Sequence, residues 1–187
     1  MEMLNECNVI QHEETEFEIT AAPHTDYFND GYSNHKIANA PVFCELIDFN
    51  FIATVKVEPD FTASYDAGTL MVLGDDDHWF KAAFEMTDLG YTSIVSVVTD
   101  SFSDDCNSER VSEKAVWLKI IRKGPCWSIH YSLDGQKWKM VRYFSLDLSK
   151  EIRVGVSAQS PVGEGCRVQF SEFSITENDC TDLRKGE

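Results

Sequence analysis

Trp79-Phe80-Lys81-Ala82-Ala83-Phe84-Glu85 alternates in a way that suits only extended backbone. Successive side chains of a strand point to opposite faces, so Phe80, Ala82 and Phe84 share one face while Trp79, Lys81, Ala83 and Glu85 share the other. The first set suits a hydrophobic interior. The second combines an aromatic ring, a cation, a small residue and a carboxylate, which are the ingredients of a shallow binding groove. On the preceding run Leu70 and Val72 point inward, leaving Ala67, Thr69 and Met71 beside Trp79 and Lys81. On the following run Val95, Val97 and Thr99 extend the same outward face. A loop from Asp100 to Asp105 then brings Ser103 and Asp104 to its edge. The candidate ligand-binding set is therefore Thr69, Met71, Trp79, Lys81, Glu85, Thr99, Ser103 and Asp104. The plainer alternative is that Trp79 and the Lys81 stem cover apolar strand surface, or that an N-terminal segment packs over them.

Outward from this strand the same period recurs. Runs at 42–47, 51–57, 67–73, 93–99, 116–122, 127–132, 138–144, 152–158 and 168–175 are alternating or β-branched, with Gly, Asp, Asn and Pro between them. No segment carries a helical period. The fold class expected is all-β, two packed antiparallel sheets. Gly74-Asp75-Asp76-Asp77 and Leu133-Asp134-Gly135 read as turns between neighbouring antiparallel strands, the second with the Asp-Gly pair preferred in type I′ hairpins. Ser160-Pro161-Val162-Gly163-Glu164-Gly165 reads as a loop. The first forty residues contain one expected strand, Glu16 to Thr20, and a loop-rich segment from Pro23 to Pro41. A single β-sandwich domain over 1–187 follows, with 1–15 and the polar 177–187 peripheral to it.

Acidic residues outnumber basic ones 32 to 16, a formal charge of −16 and a pI near 4.6. Such a chain repels phosphate backbones and anionic lipid, so neither nucleic acid nor a membrane surface is an expected partner. No stretch approaches the roughly 18 apolar residues of a membrane span, and the N-terminus lacks a targeting pattern. Six scattered cysteines, several inside apolar runs, suit buried reduced thiols, with Cys106 the most exposed. The expected location is cytoplasmic. His12, His24, His35, His78 and His130 are scattered, no Cys or His pair has zinc-ligand spacing, and Asp75-Asp76-Asp77 lacks the alternation of a calcium loop. No metal and no cofactor are expected.

The chain resembles a bacterial and fungal family of domains of unknown function, which includes a fungal protein named for regulation of enolase, within the concanavalin A-like lectin/glucanase superfamily. The resemblance rests on Thr25-Asp26-Tyr27-Phe28, Tyr65 to Val72, Trp79 to Glu85, Val97-Val98-Thr99 with Phe102-Ser103-Asp104, Trp117 to Ile120, Tyr131 to Trp138 with Met140-Val141-Arg142, and Ser160-Pro161 with Gly163-Glu164-Gly165. It departs where relatives carry Asp-Gln-Ala-Gly, since this chain has Asp66-Ala67-Gly68-Thr69. It also departs around Phe102-Ser103-Asp104, where an Arg-Gly and a Trp are missing. The resemblance implies a jelly-roll sandwich of two curved antiparallel sheets, cytoplasmic, with no established enzyme activity. At the level of the superfamily it implies sugar binding on the concave sheet.

Retaining glycosidases need two carboxylates about 5 to 5.5 Å apart, and the superfamily's Glu-x-Asp-x-Glu strand does not occur in this chain. Lys81 and Glu85 lie about 13 Å apart along their strand. The functional reading is a non-catalytic intracellular binding module whose concave sheet, around Trp79, Lys81 and Glu85, holds a carbohydrate-like or other small polar ligand. The alternatives are a regulatory domain that docks a metabolic enzyme and, below both, a glycoside hydrolase.

Overall fold

A computed structural model describes every residue except Asn8 and Lys150. Two seven-stranded antiparallel sheets face each other, and among the described residues there is no helix. In spatial order the first sheet contains β1 (Glu2–Leu4), β6 (Val42–Ile47), β15 (Ile152–Gln159), β8 (Ala67–Leu73), β9 (His78–Met86), β10 (Thr92–Asp100) and β11 (Phe102–Arg110). The second contains β14 (Lys139–Ser145), β13 (Cys126–Ser132), β12 (Val116–Lys123), β7 (Phe51–Pro59), β16 (Cys166–Glu177), β3 (Glu16–Ala21) and β2 (Val9–Glu13). The remaining strands, β4 (Tyr27–Asp30) and β5 (His35–Ala38), form a separate hairpin. The architecture is the two-sheet jelly-roll sandwich of the concanavalin A-like class.

Every run expected to be a strand is one, with ends within two residues. Alternation produces this outcome directly on β7, where Phe51, Ala53, Val55, Val57 and Pro59 are buried and the residues between them are partly exposed. Between the sheets Phe80 stacks edge-on against Trp127 at 4.9 Å and Phe144 at 5.0 Å, an arrangement favoured by ring quadrupoles. At Gly68 the two layers approach closely. A Cβ there would stand 2.4 Å from Val57 and 2.6 Å from Val168, so any side chain would force the sheets apart. Cys44, Cys106, Cys126, Cys166 and Cys180 are free thiols, and of these Cys106 is exposed. Residues 178–187 lie against the outer face of the second sheet, where Lys119 Nζ donates to Gly186 O and His130 Nε2 to Leu183 O.

Three local expectations are overturned. The segment from Asp100 to Asp105 is no loop: after a single left-handed residue, Ser101, it continues as the edge strand β11. The nine residues Phe-Ser-Asp-Asp-Cys-Asn-Ser-Glu-Arg of β11 are almost wholly exposed, and an edge strand rich in charge has no apolar alternation to reveal it. Pro23 to Pro41 is not merely loop, since it contains the β4–β5 hairpin. Asp134-Gly135 joins β13 to β14 through six residues, 133–138, rather than a two-residue type I′ turn. There Asp134 Oδ1 accepts from the backbone N–H groups of Gln136 and Lys137.

Candidate functional site

Strand register assembles the outer face of the first sheet in rows. Arg153, Leu73, Trp79, Thr99 and Ser103 form one row; Gly155, Met71, Lys81, Val97 and Asp105 form the next. Two rows further along lie Gln159, Ala67, Glu85 and Ser93. Phe80 and Phe84 point into the main core while Trp79, Lys81 and Glu85 point away from it. The second face is not open, however. The β4–β5 hairpin lies across it and makes a second apolar cluster of Tyr27, Met71, Leu73, Trp79, Ala83, Val95 and Val97, with Phe28 packed against it. Every residue of β8 is consequently buried.

This cover relocates the site. Trp79 is 1% exposed and stacks edge-on against Tyr27 at 5.7 Å, so its ring is structural and presents no face to a ligand. Thr69, Met71 and Thr99 are fully buried in the same layer, Thr69 donating to Ser157 O. Ser103 Oγ accepts from Asn29 N at 2.9 Å and lies 2.9 Å from Thr99 Oγ1, which fastens the hairpin to β11. Asp104 has the opposite parity and pairs with Arg142 at 2.6 Å on the far side of β11. Of the eight expected residues, only Lys81 and Glu85 reach a cavity.

That cavity, about 360 Å³, opens where the hairpin ends, and its lining comes from five separate segments. Lys81 forms its floor. The residue is 3% exposed, and its ammonium donates to Gln159 Oε1 at 2.7 Å, Tyr27 O at 2.9 Å and Asp26 Oδ1 at 3.1 Å. Asp26 and Phe28 enter from the hairpin, whose stem is tied to the 160–165 loop by reciprocal backbone bonds between Thr25 and Ser160. Pro161 and Val162 come from that loop, Val97 and Asp105 from β10 and β11. Tyr65 comes from the connection before β8 and is partly exposed with φ +66°.

A bulky residue in the left-handed region is uncommon, costs about 1–3 kcal/mol and persists only where its surroundings enforce it. Here they do. The neighbouring Asp66 is fully buried and accepts from Thr62 N, Thr62 Oγ1, Ala63 N and Ser160 Oγ. Backbone bonds from Tyr65 N to Met86 O and from Met86 N to Asp66 O complete the fixation.

The electrostatics are lopsided. Burial pushes the half-buried Glu85 carboxyl up to about 8; the cation of Lys81 opposes that shift, while the charges of Asp105, Asp26 and Asp88 reinforce it. Burial likewise raises Asp105, with Lys81 opposing, and raises Tyr65, with Asp88, Glu85 and Asp105 adding to it. Lined by acceptors and by apolar and aromatic walls, the cavity suits a small ligand rich in hydrogen-bond donors. Glu85 and Asp105 do not form the close cross-strand pair of a retaining glycosidase: Asp105 stands in the Lys81 row, and Glu85 stands about 13 Å further along β9 at 3.3 Å per residue.

Sequence reasoning missed Asp26, Phe28, Tyr65, Asp105, Pro161 and Val162. Asp105 was within reach by parity once β11 is known to be a strand. The others are far apart in sequence and meet only because the hairpin folds over the sheet.

The sequence pattern of the family described as "Protein of unknown function (DUF1349)" matches residues 3–178. The chain is 33% identical over 127 residues to Regulation of enolase protein 1 of Saccharomyces cerevisiae, a match that covers 67% of this chain and 64%, less than two thirds, of that protein. Among solved structures, a functionally unknown protein from Saccharomyces cerevisiae superposes with a TM-score of 0.89 at 27% identity, over 95% of this chain and 96% of that one. The GH43 BlXynB protein from Bacillus licheniformis superposes with a TM-score of 0.68 at 16% identity, over 87% of this chain but only 33% of that one, a likeness of fold.

Proposed function

The chain belongs to the DUF1349 family of proteins of unknown function, and we propose that it is a binding module which takes a small polyhydroxylated, carbohydrate-like ligand into the cavity between the β4–β5 hairpin and the first sheet. The observation that carries this reading is Tyr65. A strained aromatic residue, locked by the buried Asp66 network, faces a cavity whose other polar groups are almost all acceptors. Aromatic rings stack on the apolar faces of sugars, and carboxyl oxygens accept from hydroxyls. The cavity lies at the small end of the usual range for ligand sites, about 300–1,000 Å³, which suits one or two sugar rings. A reducing, cytoplasmic setting is supported by the free thiols of Cys44, Cys106, Cys126, Cys166 and Cys180, and one folding unit by the entry of N-terminal strands into both sheets.

The test is a glycan array followed by titration of any hit. Wild type should bind at least one glycan, and Tyr65→Ala should weaken that binding about tenfold. A wild-type chain that binds nothing on the array, or a hit indifferent to Tyr65, would overturn the proposal.

A second reading rests on the name of the yeast relative: docking onto a metabolic enzyme. Sedimentation of an equimolar mixture with enolase from the same organism tests it, since a complex would support the reading and two independent boundaries would refute it.

A further inference from the structure

An ammonium group has three hydrogens, and those of Lys81 are all engaged by Gln159, Tyr27 O and Asp26. Nothing remains on it for Glu85, four residues further along β9. Among the described residues no N–H or O–H donor reaches the Glu85 carboxyl, although that carboxyl lines the cavity. Asp105 lines the same cavity with only the backbone N–H of Cys106 as a donor. The hollow therefore contains two carboxyls that no cation of the chain neutralises, beside the rings of Tyr65 and Phe28, whose π-faces also favour cations.

Building on the polyol reading of this cavity, we infer that its ligand carries a protonated amine alongside its hydroxyls, as an amino sugar does, with the ammonium meeting Glu85. A neutral sugar would meet Glu85 through hydroxyls alone and supply no positive charge to pair with its ionised form. A simple alkylammonium would leave unused the acceptors that Asp26 and Asp105 offer to hydroxyls.

The titration of Glu85 agrees with this assignment. Among the groups around it, Lys81 on its own strand favours the ionised form, while burial and the carboxylates of Asp105 on β11, Asp26 at the hairpin stem and Asp88 in the β9–β10 turn favour the protonated one, and the latter prevail. Burial is the largest cause and the neighbouring carboxylates add to it, so the ionised form of Glu85 gains from any further positive charge placed beside it. When an ammonium enters, the Glu85 proton leaves for bulk solvent and the ion pair replaces it, so binding releases up to one proton.

The experiment is isothermal titration of the full chain with matched sugars: glucose, galactose and mannose, their 2-amino counterparts, and the N-acetylated forms. It is run near pH 6.5, where amines stay charged, in two buffers of different ionisation enthalpy. At least one amino sugar should bind about tenfold more tightly than both its parent and its N-acetyl form, the scale of a charge-assisted hydrogen bond, and should release a proton that the parent does not. Glu85→Gln should bring that ratio close to one and abolish the release. Asp105→Asn, at the exposed rim, should lower the ratio as well, and it keeps the inference testable if Glu85→Gln folds poorly. Equal affinities within every matched set would overturn the amine assignment and leave the polyol reading standing. No binding by any sugar, charged or neutral, would overturn both.

Discussion

Tyr65 and Glu85 are each held in a state that an isolated residue avoids, one in its backbone and the other in its charge. At φ +66° an L-residue other than glycine is disfavoured by about 1–2 kcal/mol, so Tyr65→Gly should be about 1 kcal/mol more stable than Tyr65→Ala, though both lose the ring. Urea unfolding of the pair checks this; equal stabilities would mean that the left-handed conformation is not strained. Glu85 gives a pH signature. The folded chain keeps its proton up to about 8, whereas the ordinary value is 4.5. The stability it contributes is therefore fully present below pH 4.5 and lost as pH rises through 8, by up to about 1.4 kcal/mol for each unit between. Wild type should lose a few kcal/mol more than Glu85→Gln between about pH 5 and pH 8.5. Parallel pH profiles for the two proteins would show that the charge of Glu85 is compensated.

At the scale of elements the β4–β5 hairpin decides what the first sheet can do. It turns the outward face of β8, β9 and β10 into a second apolar layer and leaves an opening beside Lys81, Glu85 and Asp105. Asn29 is central to its fastening. Asn29, 1% exposed, donates from Nδ2 to Asp76 O and Ser101 O, each at 3.2 Å, and from its backbone N to Ser103 Oγ. Lys36 adds an ion pair with Asp77 at the exposed end. Asn29→Ala leaves two carbonyls without that donor and should destabilise the chain by about 1–3 kcal/mol. It should also speed amide exchange over 27–38 and shift Trp79 fluorescence to the red, because the ring loses its cover. Unchanged exchange in the hairpin would show that apolar packing alone holds it. The strands beneath were legible because alternation and turn residues are local signals. The hairpin and β11 were not, since neither has a continuous apolar face of its own.

For the whole molecule the dominant electrostatic quantity is the formal charge of −16. Its surface ion pairs, such as Arg167 with Asp60 or Arg153 with Glu2, are solvent-exposed and worth about 0–1 kcal/mol each. Self-repulsion outweighs them, so raising salt from about 0.01 M to 0.15 M, which shortens the screening length from about 30 to 8 Å, should raise the melting temperature by a few degrees. A melting temperature that falls with salt would place the attractive pairs in control. Composition and period by themselves determined the all-β class, the two-sheet core and the separation of Phe80 and Phe84 from Trp79, Lys81 and Glu85, because strand parity is set by neighbouring residues along the chain. Only the tertiary structure decided that Trp79 is a packing residue and Tyr65 the aromatic wall of the cavity. What covers a sheet, and which carboxyl is left without a donor, depends on segments some forty to eighty positions away in the chain, and no local pattern records where they will lie.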